Sequence, residues 1–329
     1  MSTTETPIEN VVIVGSGPAG YTAALYTARA DLRPLVVEGY LWGGLLQQTT
    51  EVENYPGFPG GGIEGPALMT KMRAQAEEFG ARYITDEATE LKLSDEPGGV
   101  HEVHVGDEVH YARTVILAMG AQHKKLGVPG EDELGGRGVS YCATCDAAFF
   151  KDKPTVIVGG GDSAMEEAIF LAKFSSKVVV VHRRDEFRAS AIMVDRAREV
   201  ANLEFLTPYE PIAFEGDPQL QTVRLRNTAD GSERTLDING AFIAIGHVPQ
   251  SHIAADQVEI DGDGYVVTQG KSTRTRRPGV FAAGDLVDHT YRQAITAAGS
   301  GCQAALDAEW YLRDTPSIPL AQKTAESSV

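Results

Sequence analysis

The 329-residue sequence predicts an α/β fold built around two copies of one strand, turn, helix and strand unit. Three observations carry this. A short apolar run, Val11-Val12-Ile13-Val14, leads into Gly15-Ser16-Gly17-Pro18-Ala19-Gly20 and then an alanine-rich helical stretch from Tyr21 to Ala30. The same order returns as Thr155-Val156-Ile157-Val158, Gly159-Gly160-Gly161-Asp162-Ser163-Ala164 and a helical stretch through Met165, Ile169 and Leu171. The strands that follow, Leu35 to Val37 ending at Glu38 and Val178 to Val181 ending at His182, keep the register. Gly15 and Gly159, like Glu38 and His182, lie 144 positions apart.

Each element follows from local chemistry. The apolar runs suit short buried strands. The glycines serve a tight turn, the close approach of backbone amides to a pyrophosphate, and close packing of helix on strand. The helix N-terminus adds partial positive charge facing the phosphates. Both units therefore read as Rossmann-like and dinucleotide-binding. The ends of the second strands separate their ligands. Glu38 can accept hydrogen bonds from an adenosine ribose, which fits FAD or NAD. The second unit offers His182, Arg183, Arg184 and Arg188, whose guanidinium groups suit the extra 2′-phosphate of NADPH. FAD is expected in the first unit and NADPH in the second; a solvated strand end is the plain alternative for the basic run.

Between the two fingerprints lie Cys142 and Cys145, spaced Cys-Ala-Thr-Cys and followed by Asp146. Two thiols at this spacing can close a small disulfide reversibly, exchanging two electrons.

Composition narrows the class further. Hydrophobic content of 42% and charged content of 23% are those of a globular, water-soluble chain whose length suits about two domains. Three cysteines are too few for a disulfide framework, and the first ten residues carry no secretory pattern. A cytoplasmic setting is expected, where a disulfide is usually catalytic. No apolar run approaches the roughly 20 residues that span a bilayer. A net charge of −17 disfavours nucleic acid and anionic membranes, leaving small molecules or other proteins as partners.

From about Ile8 to Arg313 the chain resembles the low-molecular-weight thioredoxin reductases of bacteria, flavoprotein pyridine nucleotide-disulfide oxidoreductases. The resemblance rests on Gly15 to Gly20, on Glu51-Val52-Glu53-Asn54-Tyr55-Pro56-Gly57 and on Tyr141-Cys142-Ala143-Thr144-Cys145-Asp146. It rests also on His182-Arg183-Arg184-Asp185-Glu186-Phe187-Arg188 and on Gly279-Val280-Phe281-Ala282-Ala283-Gly284-Asp285. It implies two Rossmann-like domains, the NADPH domain inserted in the FAD domain: residues 1–120 and 249–313 for FAD, 121–248 for NADPH and the dithiol. Linkers would fall near Met119 to His123 and near Gly246 to Gln250, and the polar tail 314–329 is expected to be disordered. Two departures stand out: Ala147 follows Asp146 where the family usually has Gly, and Ala118-Met119-Gly120 replaces the usual Ala-Thr-Gly.

The resemblance also implies roles. Cys145 would take electrons from the flavin, Cys142 would attack the disulfide of thioredoxin, and Asp146 would be the acid or base of the exchange, although a helix-capping carboxylate reads as well from sequence. Glu38, Gly43, Gly44, Leu45, Asn54, Ala88, Gly284, Asp285, Arg292, Gln293, Ala294 and Ile295 would join Gly15 to Gly20 around FAD. Gly159, Gly161, Ser163, His182, Arg183, Arg184, Arg188, Ile245 and Tyr265 would meet NADPH. A homodimer is implied on the same ground. Because nicotinamide and disulfide come from one domain and each must meet the flavin, two orientations of the inserted domain are expected.

Other signals are set aside. Cys302, on a helical stretch with no second cysteine nearby, reads as a buried structural thiol. His101 and His104 read as a surface strand, with no ligand set for a metal around them. Asp261-Gly262-Asp263-Gly264 reads as a tight hairpin, because the bidentate position of a calcium loop would fall on Gly270. Pro56-Gly57 and Pro59 to Gly62 read as a loop. Rival functions are a ferredoxin-linked or oxygen-using flavin dithiol oxidoreductase, against which the arginines count, and a non-catalytic redox sensor, for which no output domain is evident. An alkyl hydroperoxide reductase flavoprotein would need a further N-terminal thiol domain.

Overall fold

Both glycine-rich turns lie where a central parallel strand ends and a helix begins. The structure, a computed structural model, describes residues 7–49 and 51–318. Six α-helices are present among the described residues: α1 (Pro18–Arg29), α2 (Gly65–Glu78), α3 (Ala143–Asp146), α4 (Asp162–Leu171), α5 (Ala191–Arg198) and α6 (Ala294–Asp314). The chain divides into two units, one formed by the segments up to Gln122 and from Val248 onward, the other by His123–His247. Beside the two crossings, the Gln250 amide donates to the Gly120 carbonyl within the first unit, and the Lys124 amide to that of Gly246 within the second (both 2.9 Å).

The first unit holds a seven-stranded sheet in the order Arg82–Ile84, Leu35–Val37, Ile8–Val14, Glu108–Leu117, His101–Val105, Ala88–Lys92, with Val280–Ala282 also paired to Glu108–Leu117. Its centre is parallel, Val14 lying opposite both Val37 and Leu117. Buried on both faces, these strands are continuous runs of Val, Ile and Leu, as parallel strands require. Helices α1 and α6 pack through Ala19, Ala23, Ala24 and Ala28 on one and Ala297, Ala304, Ala305 and Ala308 on the other. At Gly301 a Cβ would stand 2.1 Å from the Ala19 carbonyl oxygen, so this approach of two backbones admits only glycine.

The second unit holds a five-stranded parallel sheet, Val139–Ser140, Gly240–Ile243, Pro154–Val158, Lys177–Val181 and Leu203–Leu206, and a three-stranded antiparallel sheet of Tyr209–Glu215, Thr222–Asn227 and Glu233–Asp237. Strand alternation divides its core. Ile157, Val178, Val180 and Phe242 pack with Met165 and Leu171 of α4, while Val156, Val158, Val179 and Val181 pack with Phe214, Val223 and Leu225 of the antiparallel sheet.

Three expectations change. His101 is fully buried instead of surface-lying, because its strand sits inside the sheet and alternation turns His101, Val103 and Val105 inward. Its Nδ1 accepts the Ser94 amide hydrogen at 3.1 Å, and burial pushes its pKa down to about 4. Cys302 is only partly buried, and its thiol meets the hydroxyl of exposed Tyr26. Of the tail expected to be disordered from Asp314, residues 314–318 are held: Arg113 donates to the Thr315 carbonyl at 3.1 Å and the Ile318 amide to that of Gly98 at 2.8 Å. Residues 319–329 lie outside the described residues. The Asp261 segment is a hairpin turn, Asp261 accepting the amides of Asp263 and Tyr265 at 2.9 Å.

Candidate functional site: two nucleotide turns and a dithiol

The two glycine turns superpose bond for bond along the sequence. The Gly15 amide donates to Val37 O (2.9 Å) and the Gly159 amide to Val181 O (3.1 Å). In the neighbouring strands Ala118 N meets Val14 O and Ala244 N meets Val158 O, both at 2.8 Å. A Cβ at Gly15 would come within 2.3 Å of Ala118 O, and one at Gly159 within 2.4 Å of Ala244 O. These first glycines serve the protein's own packing. At the second glycines, Gly17 and Gly161, a Cβ would meet nothing within 4 Å, and each is the residue that caps its helix N-terminally. Open space faces the free amides of both helices, which is room for a phosphate. At the third position Gly20 is forced, a Cβ there lying 2.0 Å from Gly15 O. Ser16 Oγ donates to Glu38 O (2.6 Å) and accepts from the Gly43 amide (3.0 Å), and Gly43 and Gly44, both with left-handed φ, cap and open the short helix Gly44–Gln48 that holds Leu45.

Glu38 is 4% exposed and its carboxylate is fully engaged. Oε1 accepts from Tyr21 OH (2.7 Å) and Arg73 Nε (2.8 Å); Oε2 accepts from Thr85 Oγ1 (3.0 Å) and Arg73 Nη2 (3.3 Å). Burial, then the Glu38 carboxylate, hold the Tyr21 phenol well above its ordinary value. A cavity of about 400 Å³ opens here, lined by Glu38, Trp42, Thr70, Arg73, Ala74 and Thr85 among others. Arg73, Tyr21 and Thr85 carry no motif that marks them in the sequence.

Across the same unit, Gly284 (φ 73°) brings Asp285 into a one-turn helix, the Gly284 amide donating to Ser300 Oγ at 2.8 Å. Asp285 Oδ1 is buried without a hydrogen-bond partner among the described residues. Burial, then the negative charge of Asp288, push its pKa up to about 6, against the pull of Arg292. An orphaned buried acceptor of this kind fits a hydroxyl-bearing ligand such as the ribityl chain of FAD. Arg292 takes φ 48° and its amide donates to Asp288 Oδ2 (3.0 Å). Gln293 caps α6 in a reciprocal capping box with Thr296 and also accepts from Asn54 Nδ2 at 3.1 Å. Ala294 opens α6, and Ile295 is 42% exposed on its first turn. Ala88 begins the strand at the other end of the sheet.

In the second unit His182 closes its strand buried, with Nε2 3.2 Å from Glu186 O and its ring stacked on Phe187. The imidazole fills the space beside Gly160, where a Cβ would lie 2.3 Å from its Cε1. Burial, then Arg183, Arg188 and Arg184, lower its pKa, while the bond to Glu186 O opposes them. The three arginines are exposed, and among the described residues none of their guanidinium groups makes a salt bridge or side-chain hydrogen bond. Three uncompensated cations beside a neutral imidazole fit a phosphate dianion. Ser163 is exposed on the first turn of α4, and Ile245 packs partly buried against the sheet. Tyr265 belongs to the first unit, whereas the other residues expected at NADPH belong to the second.

The dithiol sits on α3. Cys142 and Cys145 are joined in a disulfide, Cys142 half-buried at the N-cap and Cys145 exposed. Both the Cys145 and the Asp146 amides donate to Cys142 O at 3.2 Å. Asp146 accepts from Ser140 Oγ at 2.5 Å, and burial raises its pKa while that hydrogen bond lowers it. Ala143 N donates to Glu167 Oε2 at 3.2 Å, tying α3 to α4. Asp146 stands at the N-cap of the following turn, Ala147–Phe150, but its side chain makes no cap bond there, so the capping alternative falls.

Comparison with known proteins agrees with this geometry. The family model for pyridine nucleotide-disulphide oxidoreductases matches residues 9–301. A thioredoxin reductase of Mycolicibacterium smegmatis is 58% identical over 314 residues, covering 95% of this chain and 99% of that protein. One from Streptomyces coelicolor is 54% identical over 93% of this chain and 94% of its own length. The crystal structure of thioredoxin reductase from Streptococcus pyogenes aligns with a TM-score of 0.87 at 39% identity, covering 94% of this chain and all of that one. Among the described residues no helix is long and apolar enough to cross a membrane. With its paired glycine turns, its arginine cluster and its dithiol, the chain belongs to the pyridine nucleotide-disulphide oxidoreductases and, within them, to the low-molecular-weight thioredoxin reductases, which use FAD and NADPH.

Proposed function

We propose that Cys142 and Cys145 are the redox pair through which this chain reduces the disulfide of thioredoxin, drawing electrons from NADPH by way of FAD. The observation that carries the reading is the disulfide at the N-terminus of α3, beside a partly desolvated carboxylate and in the unit that bears the unpaired arginines.

FAD, when bound, supplies a carrier that takes a hydride from NADPH and passes two electrons to a disulfide. The remaining steps fall to side chains. Gly17 and the amides of α1 receive one pyrophosphate, with Asp285 accepting from the ribityl chain; Gly161 and the amides of α4 receive the other, with Arg183, Arg184 and Arg188 at the 2′-phosphate. Glu38 stands at the adenosine end of the FAD site, presented by Tyr21, Arg73 and Thr85. Once the pair is reduced, the Cys142 thiolate attacks one sulfur of the thioredoxin disulfide and displaces the other as a thiolate, to which Asp146 gives a proton. Cys145, as thiolate, then attacks the Cys142 sulfur. The 142–145 disulfide re-forms, and thioredoxin leaves with both electrons.

Because one unit carries both the NADPH site and the dithiol, turnover requires it to swing about the crossings at 122–123 and 247–248. A homodimer, as the family resemblance implies, completes the reading and is checked by sedimentation, and the few cysteines fit a cytoplasmic setting. The arginine cluster speaks against a ferredoxin-linked or oxygen-using relative. Replacing Cys145 by Ser is expected to abolish thioredoxin reduction while NADPH still bleaches the flavin absorbance; sustained turnover in that variant would remove the dithiol from the pathway.

A further inference from the structure

Ser140 ends a two-residue strand just before the dithiol, is 6% exposed, and belongs to no sequence motif. Its hydroxyl is spent twice at the dithiol turn. It donates to Asp146 Oδ2 at 2.5 Å and accepts the amide hydrogen of Cys142 at 3.1 Å. The Cys142 carbonyl lies 3.5 Å from the same oxygen. One side chain thus connects the carboxylate to the backbone of the cysteine that attacks the partner disulfide.

We propose that Ser140 is a positioning residue that acts through Asp146, holding the carboxylate at the dithiol turn and setting the pH at which it exchanges a proton with the cysteines. The proposal rests on the reading of Asp146 as the acid and base of the exchange. A hydroxyl that donates to a carboxylate favours its charged form, and here it opposes the burial that favours the neutral form. When Asp146 takes up a proton, the Ser140 hydrogen can turn to the Cys142 carbonyl, freeing its oxygen to accept from the new acid. The bridge then survives in both protonation states.

The other groups around Asp146 leave this role to Ser140. The strand Val139–Ser140 and the following turn Ala147–Phe150 carry no charge. On α4 the carboxylates are Asp162, Glu166 and Glu167; Asp162 accepts from Ser190, and Glu167 accepts from Ala143 N. Among the described residues only burial and the Ser140 hydroxyl shift Asp146, and no charged side chain does.

The test uses the FAD-loaded enzyme and its reduced dithiol, mixed with oxidised thioredoxin in single turnovers across pH. In parallel, the Asp146 carboxyl is titrated by carbon-13 NMR, its signal assigned by its loss in Asp146→Asn. Ser140→Ala should raise the Asp146 midpoint, and with it the matching limb of the rate profile, by about one pH unit. Ser140→Thr, which keeps the hydroxyl, should restore the wild-type midpoint, and flavin reduction by NADPH should stay within about twofold in both. Ser140→Gly removes the hydroxyl independently should the alanine variant fold poorly. An unmoved midpoint in the alanine or glycine variant, while Asp146→Asn still abolishes the limb, would overturn the Ser140 assignment alone. A limb that persists in Asp146→Asn would overturn the role of Asp146 and this inference with it.

Discussion

The two nucleotide units share a backbone pattern at their glycine turns and differ in charge where the companion strand ends. In each, a strand ends, a glycine turns the chain and a helix opens over an uncrowded second glycine. Where the companion strand ends, the first unit places Glu38, buried and holding four hydrogen bonds, two from Arg73. At the equivalent end, the second unit places His182 under three exposed and unpaired arginines. The backbone decides where a pyrophosphate goes, because helix amides and glycine clearance are main-chain properties. On the proposed function, the strand end decides which nucleotide follows. A buried carboxylate must be neutralised within the protein, so its partners come preassembled, whereas exposed guanidinium groups lose little by waiting for an anion.

That contrast can be broken most visibly at the arginines. Replacing Arg183, Arg184 and Arg188 together by Ala removes three charge-assisted bonds and is expected to raise the Michaelis constant for NADPH by about 1000-fold and that for NADH by less than about threefold. Equal effects on both would mean that the cluster does not read the 2′-phosphate.

A smaller effect is expected at the other strand end. Arg73→Ala leaves Glu38 buried without its cation and should cost about 3 kcal/mol in urea unfolding. Adding Glu38→Gln should recover much of it, since the stranded charge is then gone. A loss below about 0.5 kcal/mol would erase the distinction between a prepaired and a waiting site.

The smallest effect concerns Asp285, the one carboxylate among the buried, unpartnered side-chain atoms of the described residues. With a pKa of about 6 in the fold against 3.8 for an ordinary Asp, the folded chain binds the proton more tightly than the unfolded chain does. Stability from this group is therefore present below the unfolded value and is lost as pH rises from about 4 to about 6, by ~2 kcal/mol. Asp285→Asn should flatten that part of the pH dependence of thermal unfolding. A slope unchanged by the substitution would assign the dependence to another carboxyl.

Much of this arrangement can be read along the chain. The strand, turn and helix of each unit are visible because apolar runs and glycine spacing are local signals, although α1 and α4 begin inside the glycine motifs, at Pro18 and Asp162, and not after them. Other features need the folded chain. His101 looks like half of an exposed alternating strand until the sheet closes over it. Gly160 reads as part of a phosphate turn, yet its lack of a side chain also makes room for His182. Gly301 sits in an unremarkable helical stretch, although the contact with Ala19 leaves space for nothing larger.

The sequence by itself determined the α/β class, the two phosphate turns with their matched register, the charge at each strand end and the spacing of Cys142 and Cys145. Each depends on residues a few positions apart, where steric demand and periodicity act directly. Only the tertiary structure decided that Arg73, Tyr21 and Thr85 converge on Glu38, that Asp285 keeps a buried oxygen without a partner among the described residues, and that Ser140 stands between Asp146 and the Cys142 amide. Hydrogen bonds and desolvation depend on which atoms meet once the chain is packed, and that proximity is set by the sheet and helices together.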